Sequence, residues 1–179
     1  GAVFPESTMR KLVDLTRRRG LWLLSDEVYE AFVDKGEHFS ALACENTEHV
    51  IGVFSFSKTY NITGLRVGYI VTGDKALQSS LTKAQELYIS CAPSVSQMAA
   101  IAAIAECDEY VREIRERFNT RRDFAMDFLK GSVQYHPRGA FYILVDISST
   151  GLTSDVFADR LLEEKKVAVA PGSTFGPSS

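Results

Sequence analysis

Six side chains able to do chemistry stand at or beside the ends of short apolar runs in this 179-residue sequence. Asp26 follows the run that begins at Leu21, and Tyr29 comes soon after it. Ser55, Ser57 and Lys58 end the run that begins at Val50, and Arg66 opens the run that stops at Thr72. In an open α/β sheet a ligand sits outside the carboxyl ends of the strands. Runs that end this way bring a carboxylate, hydroxyls, an amine and a guanidinium to one edge. That set suits a ligand with a phosphate, an electrophilic carbon and a basic ring nitrogen. A lysine desolvated among other cations is in part neutral and can form a Schiff base with an aldehyde. An aspartate opposite a pyridine nitrogen keeps that nitrogen protonated and makes the ring an electron sink. Ser55 and Arg66 can hold a phosphate, the arginine by charged, bidentate bonds. Tyr29 reaches the same pocket if the chain turns helical after Asp26. Taken singly, each residue has a plainer reading: a solvated lysine, a helix-capping aspartate, serines alternating along an edge strand. The set at this spacing is what points to a site.

The elements that must position these groups follow from periodicity. Ser7 is expected to cap a helix in which Met9, Leu12, Val13 and Thr16 recur at helical spacing, closed by Arg17-Arg18-Arg19-Gly20. Leu21–Leu24 predicts a strand buried on both faces and ending at Asp26. Residues 34–49 predict a loop with a short helix at most. Val50–Phe56 and Arg66–Thr72 predict two further strands, and helices are expected over Asp74–Tyr88, Ser94–Cys107 and Asp108–Lys130. Beyond Gly131, Phe141–Ile147 and Val167–Ala170 read as strands, with an amphipathic helix over Ser154–Lys165. The fold class is therefore α/β: part of a mostly parallel sheet with flanking helices, then a long connecting helix, then part of a small α/β domain. The expected divisions are residues 1–107, 108–130 and 131–179.

Composition excludes several function classes. The 20 lysines and arginines against 23 aspartates and glutamates give a net charge of −3, which does not suit a nucleic-acid binder. A hydrophobic content of 45% excludes a disordered chain. No apolar run approaches the roughly 18–20 residues of a membrane span. Three cysteines make no disulfide framework, so a reducing, cytoplasmic setting is expected. No signal peptide is visible at Gly1-Ala2-Val3-Phe4-Pro5. His38, His49 and His136 have no metal-ligand spacing with one another or with the cysteines, so no metal is expected. The arginines of 112–122 alternate with Glu113 and Glu116 and read as a solvated or interdomain helix face.

Three blocks taken together resemble a known family. Ser25-Asp26-Glu27-Val28-Tyr29-Glu30, then Ser55-Phe56-Ser57-Lys58-Thr59-Tyr60, then Gly64-Leu65-Arg66-Val67-Gly68-Tyr69 are similar to the aminotransferase class of fold-type I pyridoxal-phosphate enzymes. The Ser-x-Ser-Lys block with its Gly-x-Arg-x-Gly tail is that family's lysine signature. The resemblance extends to Pro137-Arg138-Gly139-Ala140-Phe141-Tyr142 and to Val167-Ala168-Val169-Ala170-Pro171-Gly172. The branch it points to holds the aspartate, alanine and aromatic aminotransferases. It implies an enzyme using pyridoxal 5'-phosphate to move an amino group between an amino acid and a 2-oxo acid, as a homodimer. It also implies that Lys58 forms the Schiff base and shuttles a proton. Asp26 would pair with the pyridine nitrogen, Tyr29 would bond the ring's phenolic oxygen, and Ser55 and Arg66 would bind the phosphate with Ser57 as a helper.

The departures from that pattern are equally specific. Members of the family are more than twice as long. Gly1 stands where the last glycine of an Asn-Pro-x-Gly turn would be. Phe175-Gly176 is followed by Pro177-Ser178-Ser179, where the family places the arginine that clamps the substrate carboxylate. The sequence is thus expected to be a central fragment with both flanks missing. A C–S lyase or an aminocyclopropane-carboxylate synthase would share Asp26, Tyr29, Lys58 and Arg66, and a non-catalytic module of the same fold is the other alternative.

Overall fold

Pro5 starts the first helix, α1 (Glu6–Arg18), because its fixed φ and extended ψ leave its carbonyl free to begin the ladder. That carbonyl accepts the N–H groups of Thr8 at 2.9 Å and Met9 at 3.0 Å, so Ser7 lies inside the first turn and does not cap it. At the other end Gly20 takes a left-handed φ of 62° and the Leu21 N–H reaches back to the Thr16 carbonyl at 2.9 Å, which stops the helix. Met9, Val13 and Thr16 form the buried stripe. Met9 and Val13 meet Ala41 and Val50, with Leu12, Leu23, Phe39 and Leu42 packed around them. Val50 is fully buried, a contribution of about 1.5–3 kcal/mol for one such side chain. The structure is a computed structural model describing residues 1–34, 36 and 38–176. Lys35 and Glu37 of the expected loop, and Pro177-Ser178-Ser179, lie outside the described residues.

The sheet has the strand order β1 (Leu23–Asp26), β2 (Val50–Ser55), β3 (Gly68–Thr72). β1 and β2 run parallel in the register Leu23↔Val50 to Asp26↔Val53. β2 and β3 run antiparallel, from Ile51↔Thr72 to Ser55↔Gly68. The carboxyl ends of β1 and β2 and the amino end of β3 therefore share one edge. Gly68 is required there: a Cβ would stand 2.5 Å from the Phe54 carbonyl oxygen, a backbone atom that cannot swing away. Next to it the cross-strand pair Phe54 and Tyr69 stacks with ring centroids 4.9 Å apart. β1 is not buried on both faces as its apolar run predicts. Leu23 faces the α1 cluster, whereas Leu24 is exposed, because α1 covers one face and no described residue covers the other.

Between β2 and β3 lies a single helical turn, α2 (Phe56–Thr59), followed by a 3-10 turn at Thr63–Leu65. Phe56 anchors α2 in a second cluster with Val67 and Ala100, flanked by Tyr60, Ile62 and Leu65. Ala100 belongs to α4 (Ser94–Glu106), which follows α3 (Lys75–Ile89) and precedes the long α5 (Asp108–Phe128). The Asp74 side chain caps α3 by accepting the Leu77 N–H at 2.7 Å. α6 (Ser154–Lys165) has the bounds its periodicity predicts and is capped by Thr153. Residues 141–147 and 167–170 form no strand. A strand needs a neighbour's N–H and C=O groups, and neither segment finds such a ladder among the described residues.

The described residues form two compact units. One holds Gly1–Arg122 with Pro137–Tyr142, and the other holds Asp123–His136 with the described residues from Ile143 on. In the first unit the Gly1 carbonyl accepts the N–H groups of Arg138 at 2.7 Å and Gly139 at 3.1 Å, and Val33 and Gly139 form an isolated antiparallel bridge. These bonds fix the Pro137–Tyr142 segment against the loop that follows β1. In the second unit the Asp146 N–H donates to the Ser132 carbonyl, and the Gln134 amide donates to the Asp146 carboxylate.

Candidate active site

Asp26 is the last residue of β1, and its carboxylate is exposed at the sheet edge, with only a long 3.4 Å approach from the Val28 N–H among the described residues. The residue after it holds the turn in place. Glu27 is only 3% exposed, and its carboxylate accepts from four groups: His38 Nε2 at 2.7 Å, Ser25 Oγ at 2.9 Å, Ser40 Oγ at 3.0 Å and the Ala41 N–H at 3.1 Å. Burial pushes this carboxyl up, but the bonds outweigh it and hold its pKa below the ordinary value. The same bond to Glu27 lifts His38 above the ordinary imidazole value, against the opposing effect of burial. With Glu27 fixed, its carbonyl accepts the Glu30 N–H at 3.1 Å and the Tyr29 carbonyl accepts the Phe32 N–H at 2.9 Å. The chain turns at Tyr29, as the sequence requires if that residue is to reach the site.

Tyr29 sits in an aromatic nook built largely by the Pro137–Tyr142 segment. Its ring meets Phe141 edge-on at 5.3 Å and Tyr142 edge-on at 5.6 Å, and its hydroxyl lies 2.6 Å from that of Tyr142. Phe141 in turn packs against Phe32 and Phe118. Burial first, and then the Tyr142 bond and the nearby Asp26 charge, raise the Tyr29 phenol far above its ordinary pKa. Lys58 points into this nook. Its Nζ lies 6.0 Å from the Tyr29 ring centre and 5.9 Å from that of Phe141. Lys58 is half-buried and has no ion-pair partner among the described residues.

The remaining predicted groups gather at the start and the return of the α2 turn. Ser55 caps α2, accepting the Ser57 N–H at 3.1 Å, and keeps its own hydroxyl hydrogen to donate. Ser57 is buried, and its carbonyl accepts the Thr63 hydroxyl at 3.1 Å. That bond folds the return loop back over α2, and the Phe56 N–H to Val67 carbonyl bond at 3.3 Å closes it. Arg66 completes the loop in a left-handed conformation (φ 50°, ψ 51°) that non-glycine residues adopt at a cost of about 1 kcal/mol. Its guanidinium is exposed and spends one N–H on the Thr63 carbonyl at 2.9 Å, leaving the other donors for a ligand. The Thr59 hydroxyl, beside Lys58 in the chain, is buried with no partner among the described residues.

The structure thus brings Lys58 and Tyr29 together directly. It sets Asp26 at the neighbouring strand end and Ser55, Ser57 and Arg66 around α2. Sequence reasoning missed Glu27, Phe141 and Tyr142. Glu27 lay inside a quoted block but has no motif signal separate from Asp26. Phe141 and Tyr142 are more than a hundred residues from Tyr29, and only their place in the Gly-Ala-Phe-Tyr block marked them. An open cleft of about 450 Å³ along α5, lined by Glu113, Glu116, Arg117, Thr120 and Arg121, holds none of these groups. Among the described residues no cluster of His, Cys, Asp or Glu could hold a metal ion, and no helix is long and apolar enough to cross a membrane.

Comparison with known proteins identifies the family of the chain. The family model described as aminotransferase class I and II matches residues 1–179. The aspartate aminotransferase of Thermotoga maritima is 34% identical over 98% of this chain and 45% of its own length. The arginine–pyruvate transaminase of Pseudomonas aeruginosa is 34% identical over 100% of this chain and 46% of its own. Among solved structures, the aromatic aminotransferase of Pyrococcus horikoshii superposes with a TM-score of 0.90 at 34% identity, covering 99% of this chain and 49% of that one. The chain spans about half the length of the relatives it matches.

Proposed function

This chain belongs to the class I and II aminotransferase family, and from that premise we propose that it carries the central part of a pyridoxal-phosphate site that moves an amino group between an amino acid and a 2-oxo acid. The observation that supports this most is the placement of Lys58: an amine without an ion-pair partner among the described residues, half-buried, facing the Tyr29 and Phe141 rings. The donor set fits the cofactor group by group. Ser55 keeps a hydroxyl hydrogen and Arg66 keeps unspent guanidinium donors, the pair that a phosphate takes. Ser57 lies in the same turn as a helper. Asp26 offers an exposed carboxylate for a ring nitrogen, and Tyr29 offers a phenol kept protonated by burial and by Tyr142. When bound, pyridoxal 5'-phosphate supplies an aldehyde and an electron-withdrawing ring.

The chain's own residues then have distinct tasks. The Lys58 amine would hold the cofactor through its aldehyde and, as a free base beside the substrate, would take a proton from the substrate's Cα and pass it on to the cofactor. The Asp26 carboxylate would favour a protonated ring nitrogen, and the Tyr29 phenol would orient the ring by a hydrogen bond. Ser55 and Arg66 hold the phosphate so that the reacting atoms stay in register. In the same reading, residues 1–107 are part of the cofactor-binding large domain, 108–130 the connecting helix and 131–179 part of the small domain. The whole enzyme acts as a homodimer in the cytoplasm. The three free cysteines, Cys44, Cys91 and Cys107, suit a reducing compartment, and the exposed apolar residues Leu87, Val95, Met98 and Ile101 of α3 and α4 supply surface to be covered.

The test is a pair of half-reactions in the full chain loaded with pyridoxal 5'-phosphate. Aspartate, alanine and phenylalanine are offered as donors and 2-oxoglutarate as acceptor. Formation of glutamate with the matching 2-oxo acid is the expected result. Release of pyruvate and ammonia would instead show a lyase, and no product from any donor would point to a non-catalytic module.

A further inference from the structure

The hydroxyls of Tyr29 and Tyr142 lie 2.6 Å apart, at the short end of the range for O–H···O bonds, and either can be the donor. We propose that Tyr142 is a positioning residue, whose hydroxyl fixes the Tyr29 phenol and directs the proton that Tyr29 presents toward the ligand beside Lys58. This inference rests on the reading that Tyr29 faces the cofactor's phenolic oxygen.

Each phenol carries a single proton. If Tyr29 donates to Tyr142, it has no proton left for a ligand. If Tyr142 donates to Tyr29, the Tyr29 proton is free for an anionic ligand oxygen. A ligand oxygen that accepts from Tyr29 therefore selects the second arrangement, in which the two bonds run in one direction and strengthen each other. Four features place Tyr142 for this task. It meets Tyr29 edge-on, at 87° between ring planes, so the hydroxyls touch while the rings do not compete for the same face. Phe141, next to Tyr142 in the chain, packs edge-on against Tyr29 as well and fixes the backbone from which Tyr142 projects. Tyr142 is itself about half exposed, its ring packs against Tyr29 and Phe141, and its hydroxyl makes its polar contact with that of Tyr29. The segment is locked to the rest of its unit by the Gly1 carbonyl bonds and the Val33–Gly139 bridge, so the Tyr142 hydroxyl is held in place when a ligand arrives.

The experiment is a double-mutant cycle in the full chain, reading the dissociation constant of pyridoxal 5'-phosphate and the pH dependence of its absorption band. The variants are Tyr29→Phe, Tyr142→Phe and the pair. Tyr142→Phe keeps both rings and removes one hydroxyl. It is expected to weaken binding about 2- to 12-fold, the ratio that one hydrogen bond provides, and to shift the pH profile of the band. In the Tyr29→Phe background the same change is expected to do nothing. A second reading needs no cofactor. In chain labelled at the tyrosine ζ-carbon, the Tyr29 resonance, identified by its loss in Tyr29→Phe, is expected to titrate above the ordinary phenol range. In Tyr142→Phe it should move back toward that range. If Tyr29→Phe alters binding and the band while Tyr142→Phe leaves both unchanged, the positioning role is overturned and the site reading stands. An equal Tyr142→Phe effect in both backgrounds overturns it too, because a merely structural residue would act without Tyr29. If Tyr29→Phe changes neither binding nor the band, the site reading fails and the positioning role with it.

Discussion

Replacing Glu27 should unfold the turn that carries Asp26 and Tyr29, and the size of the effect follows from its contacts. The carboxylate is almost wholly buried and accepts from His38, Ser25, Ser40 and the Ala41 N–H. In Glu27→Ala the two serine hydroxyls can rotate to other acceptors and the half-exposed His38 can turn to water. The Ala41 N–H cannot, since Ala41 is fully buried. An orphaned buried donor costs about 1–3 kcal/mol, and removing one partner of a buried ion pair costs about 3–5 kcal/mol. With His38 partly wet, the lower end applies, and a loss of about 3 kcal/mol is expected. Glu27→Gln keeps one acceptor oxygen and should lose about 1–2 kcal/mol. The pH dependence has a definite sign. Glu27, with its pKa lowered, contributes stability above the ordinary carboxyl value of 4.5 that is lost as pH falls through its folded value. His38, with its pKa raised, contributes below the ordinary imidazole value of 6.5 and loses this as pH rises through its folded value. The deficit of Glu27→Gln should therefore be largest between pH 4.5 and 6.5 and shrink on both sides. Urea denaturation across that range reads it. A Glu27→Ala variant within about 0.5 kcal/mol of the parent, the size of an ordinary surface change, would refute the reasoning.

Two further substitutions separate fold from site. Gly68→Ala places a methyl 2.5 Å from the Phe54 carbonyl oxygen, so β2 and β3 must part and stability should fall by about 1–3 kcal/mol in urea denaturation; an unchanged midpoint would show that the strands can spread without loss. Asp26→Asn removes an exposed charge with no short hydrogen bond among the described residues, so stability should stay within about 0.5 kcal/mol. Turnover in the full chain should nonetheless drop by about 10²-fold or more, as loss of one electrostatic stabiliser does; equal turnover in parent and variant would remove Asp26 from the site.

The sequence shows where the strand ends lie because apolar runs with polar stops are a local signal. Asp26 and Ser55 stand where the runs predict and α6 has the predicted bounds, whereas the third strand starts at Gly68 and not at Arg66, because Arg66 takes the left-handed turn that ends the return loop. Burial was less legible. The run at Leu21–Leu24 reads as buried on both faces, yet Leu24 is exposed, since the cover on a strand's second face comes from elsewhere in the chain. The apolar segments at 141–147 and 167–170 read as strands, but strand formation depends on a pairing partner that local composition does not encode. In the site, Lys58 and Tyr29 were legible through spacing and resemblance. Tyr142 was not, because its contact with Tyr29 bridges 113 positions and no local pattern records it. Glu27 escaped notice because an acidic residue after a strand is usually solvated, and only the folded chain shows four donors converging on it.

Borohydride reduction of the full chain loaded with pyridoxal 5'-phosphate, followed by peptide mass mapping, tests the assignment of Lys58 most directly. The amine that faces Tyr29 and Phe141 should carry the reduced pyridoxyl mass, and in Lys58→Ala that mass should vanish while the cofactor still binds noncovalently. Labelling of a different lysine, or no labelled peptide at saturating cofactor, would contradict it.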